Sequence, residues 1–247
     1  MVADHQGCRH QGGVNEVTGF RNFRVFGNGR LKRARTSLRV AVMPRNDEIE
    51  FWFSVGSTYT YLTVSRLGQV EAASGVRFRW RPFSVLSIMR EMNNIPFSTK
   101  PVKAAYMWRD IERRASFHGL SIGLPVPFPL KDSDLANRVA VLGETEGWCV
   151  DYVRATYRRW FVDGTEAGGE PNLSESLVEI GQDPARVVPL ARSDTIGGAY
   201  DAATDEARRL NIFGVPTFVT RGEVFWGDDR LEDAVAWHTG GDIKGLK

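Results

Sequence analysis

Glu50-Phe51-Trp52-Phe53-Ser54-Val55-Gly56-Ser57-Thr58-Tyr59-Thr60-Tyr61-Leu62 decides how the rest of this chain is read. It opens as an apolar run suited to a buried strand. It breaks at Gly56 and passes through Ser57 into residues with helical spacing. A hydroxyl at a strand-to-helix junction sits beside backbone N–H groups that have no partner within the helix. The positive end of the helix dipole lies at the same place. The junction is therefore a natural seat for an anion, whether a phosphate or a thiolate.

Outward from that stretch, 49–55 is the expected first strand. Residues 58–73 follow as a helix with Tyr61, Leu62, Leu67 and Val70 on one face. Gly75 closes it in the manner of a glycine C-cap. Val76-Arg77-Phe78-Arg79-Trp80 alternates apolar and basic residues, the pattern of a second strand with one buried face. Strand, helix and strand make a βαβ unit. Helices are then expected over 84–92, 100–117, 132–146, 148–162 and 172–180, with a short one opening at Asp183-Pro184. On the 100–117 helix, Tyr106, Trp108 and Ile111 are read among the apolar positions. Ser193-Asp194 caps another helix running to Leu210. Strands over 216–220 and 223–226 are joined through Arg221-Gly222 as a hairpin. Asp228 is the expected N-cap of a last helix, 231–238.

Composition narrows the function classes. The chain is 42% hydrophobic and 25% charged, as a globular protein is. No apolar run approaches the roughly 20 residues that cross a bilayer. Of 32 basic and 30 acidic residues, nine and two lie in 1–46, so 23 and 28 remain in 47–247. The basic balance belongs to the N-terminal segment, and a nucleic-acid-binding body is not favoured. Residues 1–46 carry no sustained period and no secretory core. They read as a basic, disordered extension or a start placed ahead of Met43. Their Arg-rich, acid-poor composition loosely resembles a transit peptide. Cys8 and Cys149 are not at C-x-x-C spacing, so a dithiol motif is absent and a disulfide-stapled secreted domain is disfavoured. The four histidines show no metal-ligand spacing. Cys149 and His118 are most simply structural.

With the central helices set aside, the order is βαβ–α–ββ–α. That is the thioredoxin order: an α/β, thioredoxin-like βαβ–ββα core with a large helical insertion. The expected core segments are 47–83 and 193–240, and the insertion is 84–192. Several separated motifs make the likeness specific: Phe51 to Leu62, Arg81-Pro82-Phe83, Asn94-x-Pro96, Leu135-Ala136-Asn137-Arg138, Phe213-Gly214-Val215-Pro216-Thr217-Phe218 and Phe225-Trp226-Gly227-Asp228-Asp229-Arg230-Leu231. In order and spacing they resemble the 2-hydroxychromene-2-carboxylate isomerases and kappa-class glutathione transferases, DsbA-like proteins of thioredoxin fold. Two positions depart from the family pattern. Thr58 stands where proline is usual and loses its fixed φ. Ser54 stands where aspartate is usual, which removes a charge near the site and bears on substrate preference and rate.

Each candidate residue has a functional and a plain reading. Ser57 is either an ordinary N-cap or the donor that holds a thiolate. No sulfur occurs at positions 57–60, so the resemblance implies that bound glutathione supplies the thiol and Ser57 lowers its pKa. Val215-Pro216 is either a strand-initiating proline or the family's cis-proline, with the Val215 main chain pairing to the cysteinyl part of glutathione. Asp228 and Asp229 are helix-start acids, or contacts to the γ-glutamyl end. Asn94, with Asn93 as the neighbouring choice, is a turn residue or a glutathione contact. Tyr106-Met107-Trp108-Arg109 and Tyr157-Arg158-Arg159-Trp160 line a substrate pocket or, the favoured reading, form helix cores with solvated arginines.

The resemblance implies a cytoplasmic, glutathione-dependent isomerase of 2-hydroxychromene-2-carboxylate or a related aromatic catabolite. The expected partners are a small aromatic substrate and a second copy of the chain, with neither nucleic acid nor membrane. A kappa-like transferase is the nearest alternative, and a non-enzymatic thiol- or peptide-binding module the next. A disulfide oxidoreductase is nearly excluded by the missing cysteines.

Overall fold

The strands come from opposite ends of the described chain. In the computed structural model, which describes residues 48–94, 97 and 100–241, β1 (Glu48–Phe53) and β2 (Arg77–Pro82) flank α1 (Thr58–Ser74). β3 (Thr217–Thr220) and β4 (Glu223–Trp226) form a hairpin far downstream. All four join in one sheet in the order β2-β1-β3-β4. β1 runs parallel to β2 and antiparallel to β3, so Trp52 lies opposite both Arg81 and Thr217. The basic extension 1–46, with the readings attached to it, lies outside the described residues, as does Pro96.

β1 reads as a continuous apolar run because both faces of the sheet are covered. Ile49, Phe51 and Phe53 face a core shared with α1. There the Phe51 ring stacks on Phe53 at 5.2 Å and on Phe218 at 5.6 Å, and meets Trp80 edge-on at 4.9 Å. Trp52 points the other way, into a smaller cluster with Phe83, Val85 and Ile88. Val85 and Ile88 come from α2 (Val85–Glu91), and Ala207 of α8 (Asp194–Arg209) completes the cover.

Strand limits differ from the sequence reading at two places. β1 stops at Phe53 because Ser54, Val55 and Gly56 turn the chain. β2 extends through Pro82, which a proline tolerates on a sheet edge, where one side of the strand needs no N–H.

Between α2 and α8 stand α3 (Pro101–Phe117), α4 (Ser133–Glu146), α5 (Cys149–Phe161), α6 (Asn172–Glu179) and α7 (Pro184–Ala191). α9 (Leu231–Thr239) closes the described chain. Side chains of Asp132, Asp183 and Ser193 accept from the N–H groups of Leu135, Ala185 and Ile196 and so start α4, α7 and α8. α5 packs on α1 through Tyr61 and Phe161, whose rings stack at 4.1 Å.

The inward face of α3 differs from expectation. Met107, Ile111 and Ala115 are buried, whereas Tyr106 is 61% exposed. The Cys149 thiol is buried, and burial pushes its pKa up, which leaves it an inert packing group. No helix among the described residues is long and apolar enough to cross a membrane.

Candidate functional site

β1 delivers the chain into a turn at Ser54–Ser57, and Gly56 takes it through a φ of 117° that side-chain-bearing residues rarely adopt. Ser57, extended at φ −85° and ψ 124°, is the N-cap of α1. Its Oγ accepts from the Thr60 N–H at 3.4 Å. Its hydroxyl donates to the Val215 C=O, also at 3.4 Å. Both bonds are long, so the hydroxyl loses little by turning to a stronger acceptor. The Val215-Pro216 peptide is cis. Val215 is half-buried, and its N–H meets no backbone acceptor among the described residues. A hydroxyl, a helix N-terminus and a main-chain edge thus converge at one point.

The turn is held from the helical block. Asn137 of α4 is 1% exposed. Its Oδ1 accepts from the Val55 N–H at 2.7 Å, and its Nδ2 donates to the Val55 C=O at 2.9 Å and to the Ser133 C=O at 2.7 Å. The Tyr157 hydroxyl of α5 donates to the C=O groups of Ser57 and Ser54, at 3.0 and 3.2 Å. Burial, only partly offset by the Thr60 side chain and the Gly56 and Ser57 main chain, raises the Tyr157 pKa, so the phenol keeps its proton. Thr58 is buried and donates through Oγ1 to Met107 Sδ of α3 at 3.2 Å.

A second wall follows β4. The Gly227 N–H donates to the Pro216 C=O at 2.9 Å and ties this wall to the first. Gly227 has φ 121°, and a Cβ there would run into Asp229 Oδ1. The chain then makes a single 3-10 turn, Asp228–Arg230, before α9. Asp228 was expected to cap α9, but Arg230 occupies the N-cap position, without a side-chain cap bond. The Asp228 carboxylate instead turns inward, 3% exposed, to Arg114 of α3. Nε and Nη2 of Arg114 both reach its Oδ2, at 2.7 and 2.6 Å. Burial raises the Asp228 pKa, while Arg114 and, more weakly, Arg66 oppose the rise. Asp229 is exposed and pairs with Arg230 at 2.8 Å.

Ser57, Val215, Pro216, Asp228 and Asp229 therefore belong to one neighbourhood. Asn94 is exposed on the turn after α2, with its N–H on the Met89 C=O at 2.8 Å and its Oδ1 accepting from Lys100 at 3.5 Å. Among the described residues no hydrogen bond links it to Ser57, Val215 or Asp228. Asn93 beside it has a φ of 52°.

Of the two aromatic-basic runs, Tyr157 and Trp160 are core, and Arg158 and Arg159 pair with Glu179. In the other run, Trp108 packs edge-on to Phe128 at 5.4 Å and Arg109 pairs with Glu112. Sequence reading did not find the roles of Asn137, Tyr157 and Arg114. The one available signal was Asn137, a polar residue among Leu135, Ala136, Val139 and Ala140 on a buried helix. Among the described residues there is no group of three His, Cys, Asp or Glu that could hold a metal ion.

A thioredoxin-type sheet, a serine capping the first helix and a facing cis-proline define a class, and the comparisons specify it. Residues 48–236 match the DSBA-like thioredoxin domain, and the chain belongs to that family. It is 25% identical over 186 residues to the 2-hydroxychromene-2-carboxylate isomerase of Sphingobium xenophagum, covering 74% of this chain and 94% of that one. It is 31% identical over 87 residues to glutathione S-transferase kappa 1 of Caenorhabditis elegans, covering 35% of this chain and 38% of that one. A solved 2-hydroxychromene-2-carboxylate isomerase superposes with a TM-score of 0.69 at 23% identity, over 78% of this chain and 94% of the other.

Proposed function

We propose that the protein is a glutathione-dependent isomerase of 2-hydroxychromene-2-carboxylate or a related aromatic catabolite. The observation that carries this reading is the weakly held Ser57 hydroxyl at the N-terminus of α1, 3.4 Å from the Val215 C=O, with no thiol at positions 57–60. The names of the relatives agree with it. Bound glutathione would supply a thiolate that adds to a carbon of a conjugated double bond, leaves a single bond free to rotate, and departs unchanged. Ser57 donates its hydroxyl proton to that sulfur in place of the Val215 C=O. The donor and the helix dipole together bring a thiol pKa down from about 8.5 toward neutrality. Val215 offers its N–H and C=O to the cysteinyl portion of the ligand. Asp228 and Asp229 take the γ-glutamyl end, and Asn94 a contact from the helical block, 84–192, read here as an inserted domain. The reading extends to a cytoplasmic homodimer, which light scattering of the purified chain tests.

The deciding assay follows chromene absorbance with and without glutathione. Activity is expected only with glutathione. Loss of the Ser57 donor in Ser57→Ala lowers it about 10²-fold or more, the scale of one donor to a developing anion. Equal rates without glutathione, or an unaffected Ser57→Ala enzyme, would sink the reading. The second reading is a kappa-like transferase, favoured by the relative of that name. It uses the same thiolate but leaves it bonded to an electrophile, and conjugation of a haloaromatic without chromene isomerisation would establish it.

A further inference from the structure

We propose that Arg114 is a positioning residue of the ligand site: from α3 it holds the Asp228 carboxylate in place by one oxygen and leaves the other to meet a cationic group, the ammonium of glutathione's γ-glutamyl end. The inference rests on the glutathione reading above and names a residue that the reading does not use.

The geometry is specific. An arginine fork facing a carboxylate commonly engages both oxygens. Here both contacts, from Nε and Nη2, fall on Oδ2. Oδ1 is engaged by neither. The other charged and titratable groups around Asp228 are paired elsewhere or neutral, except that Arg66 keeps one buried nitrogen, Nη1, without a partner among the described residues. On α1, Tyr59 donates to Asp110 of α3 at 2.9 Å, and Arg66 pairs with Glu232 of α9. His118 at the end of α3 has its pKa lowered by burial and then by Arg66 and Arg114, which favours the neutral ring. Asp229 pairs with Arg230. Arg114 is thus the cation that hydrogen-bonds Asp228, and its place is fixed by the burial of Ile111 and Ala115 beside it on α3. An isolated buried carboxylate takes up a proton and can no longer balance a cation. Arg114 opposes the rise that burial causes and so favours the ionised form, and the Asp228–Arg114 pair keeps a carboxylate oxygen for the ligand.

The sign of the pH effect follows. An ammonium contact needs ionised Asp228, so affinity falls as pH drops through the Asp228 pKa. Removing Arg114 removes a lowering influence on that pKa, and the fall then begins at higher pH.

The test is calorimetric titration of the full chain with glutathione and with N-acetylglutathione, which lacks the ammonium, at several pH values. The unaltered protein is expected to prefer glutathione about ten-fold, the scale of one charge-assisted hydrogen bond. Arg114→Met lowers glutathione affinity by about the same factor, abolishes the preference and moves the acid limb upward. Arg114→Lys retains most of the preference. An Arg114→Met protein with unchanged preference and pH profile overturns the inference alone. No glutathione binding by the unaltered protein overturns the proposed function and this inference with it. If Arg114→Met does not fold, Arg114→Gln carries the test: loss of the preference supports the inference, and its retention overturns it.

Discussion

The two walls of the site are both held from the helices between α2 and α8, by opposite kinds of force. The Ser54–Ser57 turn is held by neutral hydrogen bonds from Asn137 and Tyr157 and a weaker contact to Met107. The Asp228–Arg230 turn is held by a buried ion pair to Arg114. A neutral clamp has nothing to titrate near neutrality, since burial raises the Tyr157 pKa further from the working range. The charged clamp holds a carboxylate whose proton affinity changes on folding. Burial raises the Asp228 pKa above its unfolded value, so the folded protein binds that proton more readily than the unfolded chain. The stability tied to this group is therefore greatest in acid and declines as pH rises through the folded pKa. Ligand binding through the same carboxylate has the reverse dependence. The wall that positions the hydroxyl is insulated from pH, and the wall proposed to select the ligand is not.

The strongest way to break this contrast is to put a charge into the neutral clamp. Asn137→Asp buries an unpaired carboxylate beside the Val55 main chain. It should destabilise the protein at neutral pH by about 3–5 kcal/mol, the range for an uncompensated buried charge. Its pKa is raised by burial, so part of the loss returns as pH falls and the protonated acid can again donate to the Val55 C=O. Asn137→Ala is the control. It leaves the Val55 N–H and C=O unsatisfied at about 3 kcal/mol, with no added pH dependence. Urea unfolding of both variants between pH 5 and 8, in steps of about one unit, measures the difference. Parallel pH profiles would mean that the clamp is not what keeps this wall insensitive to pH.

Tyr157→Phe is a gentler break. It removes one proton shared by two carbonyls and keeps the ring that packs on Trp160 and Phe161. The expected loss is about 1–2 kcal/mol. Turnover should fall more than glutathione affinity does, because the freed groups set where Ser57 stands rather than what touches the ligand. Measuring kcat against the glutathione binding constant separates the two, and equal losses in both would count against a positioning role.

How legible these walls were depends on the separation of partners along the chain. Gly56, the Ser57 cap and the alternation in 76–80 are local patterns, and each reports its own conformation. The contacts of Asn137 with Val55 span 82 positions, and those of Arg114 with Asp228 span 114. No period or cap rule reaches that far. A mid-helix asparagine or arginine looks the same in sequence whether it meets solvent or a distant turn. Asp228 was misread for the same reason. An acid at a helix start satisfies the capping rule, but the distant guanidinium won its side chain. Tyr106 went wrong because the inward side of α3 is partly polar, with Asp110 and Arg114 facing Tyr59 and Asp228. Apolar periodicity alone therefore rotated the helix. The edge position of β2, which admits Pro82, also depends on strand order that local sequence does not encode.

The smallest expected effect concerns the third tether of the neutral wall and one of the two departures from the family pattern. Thr58 Oγ1 reaches Met107 Sδ, a weak acceptor. Thr58→Val keeps the shape of the side chain and deletes the donor without stranding a strong acceptor. Replacing a buried polar pair in this way is nearly neutral, so the change in stability should stay within about 0.5 kcal/mol. Ser57 and its Thr60 N–H contact are untouched, and turnover should hold as well. A loss of 2 kcal/mol or more, about twice a typical net hydrogen bond, would assign the Thr58 contact a weight comparable to Tyr157. The first wall would then rest on α3 as well as on α4 and α5. That would place one helix behind both walls, since Met107 and Arg114 lie two turns apart on α3. Movement of α3 would then shift the hydroxyl and the ligand carboxylate together, instead of the carboxylate alone.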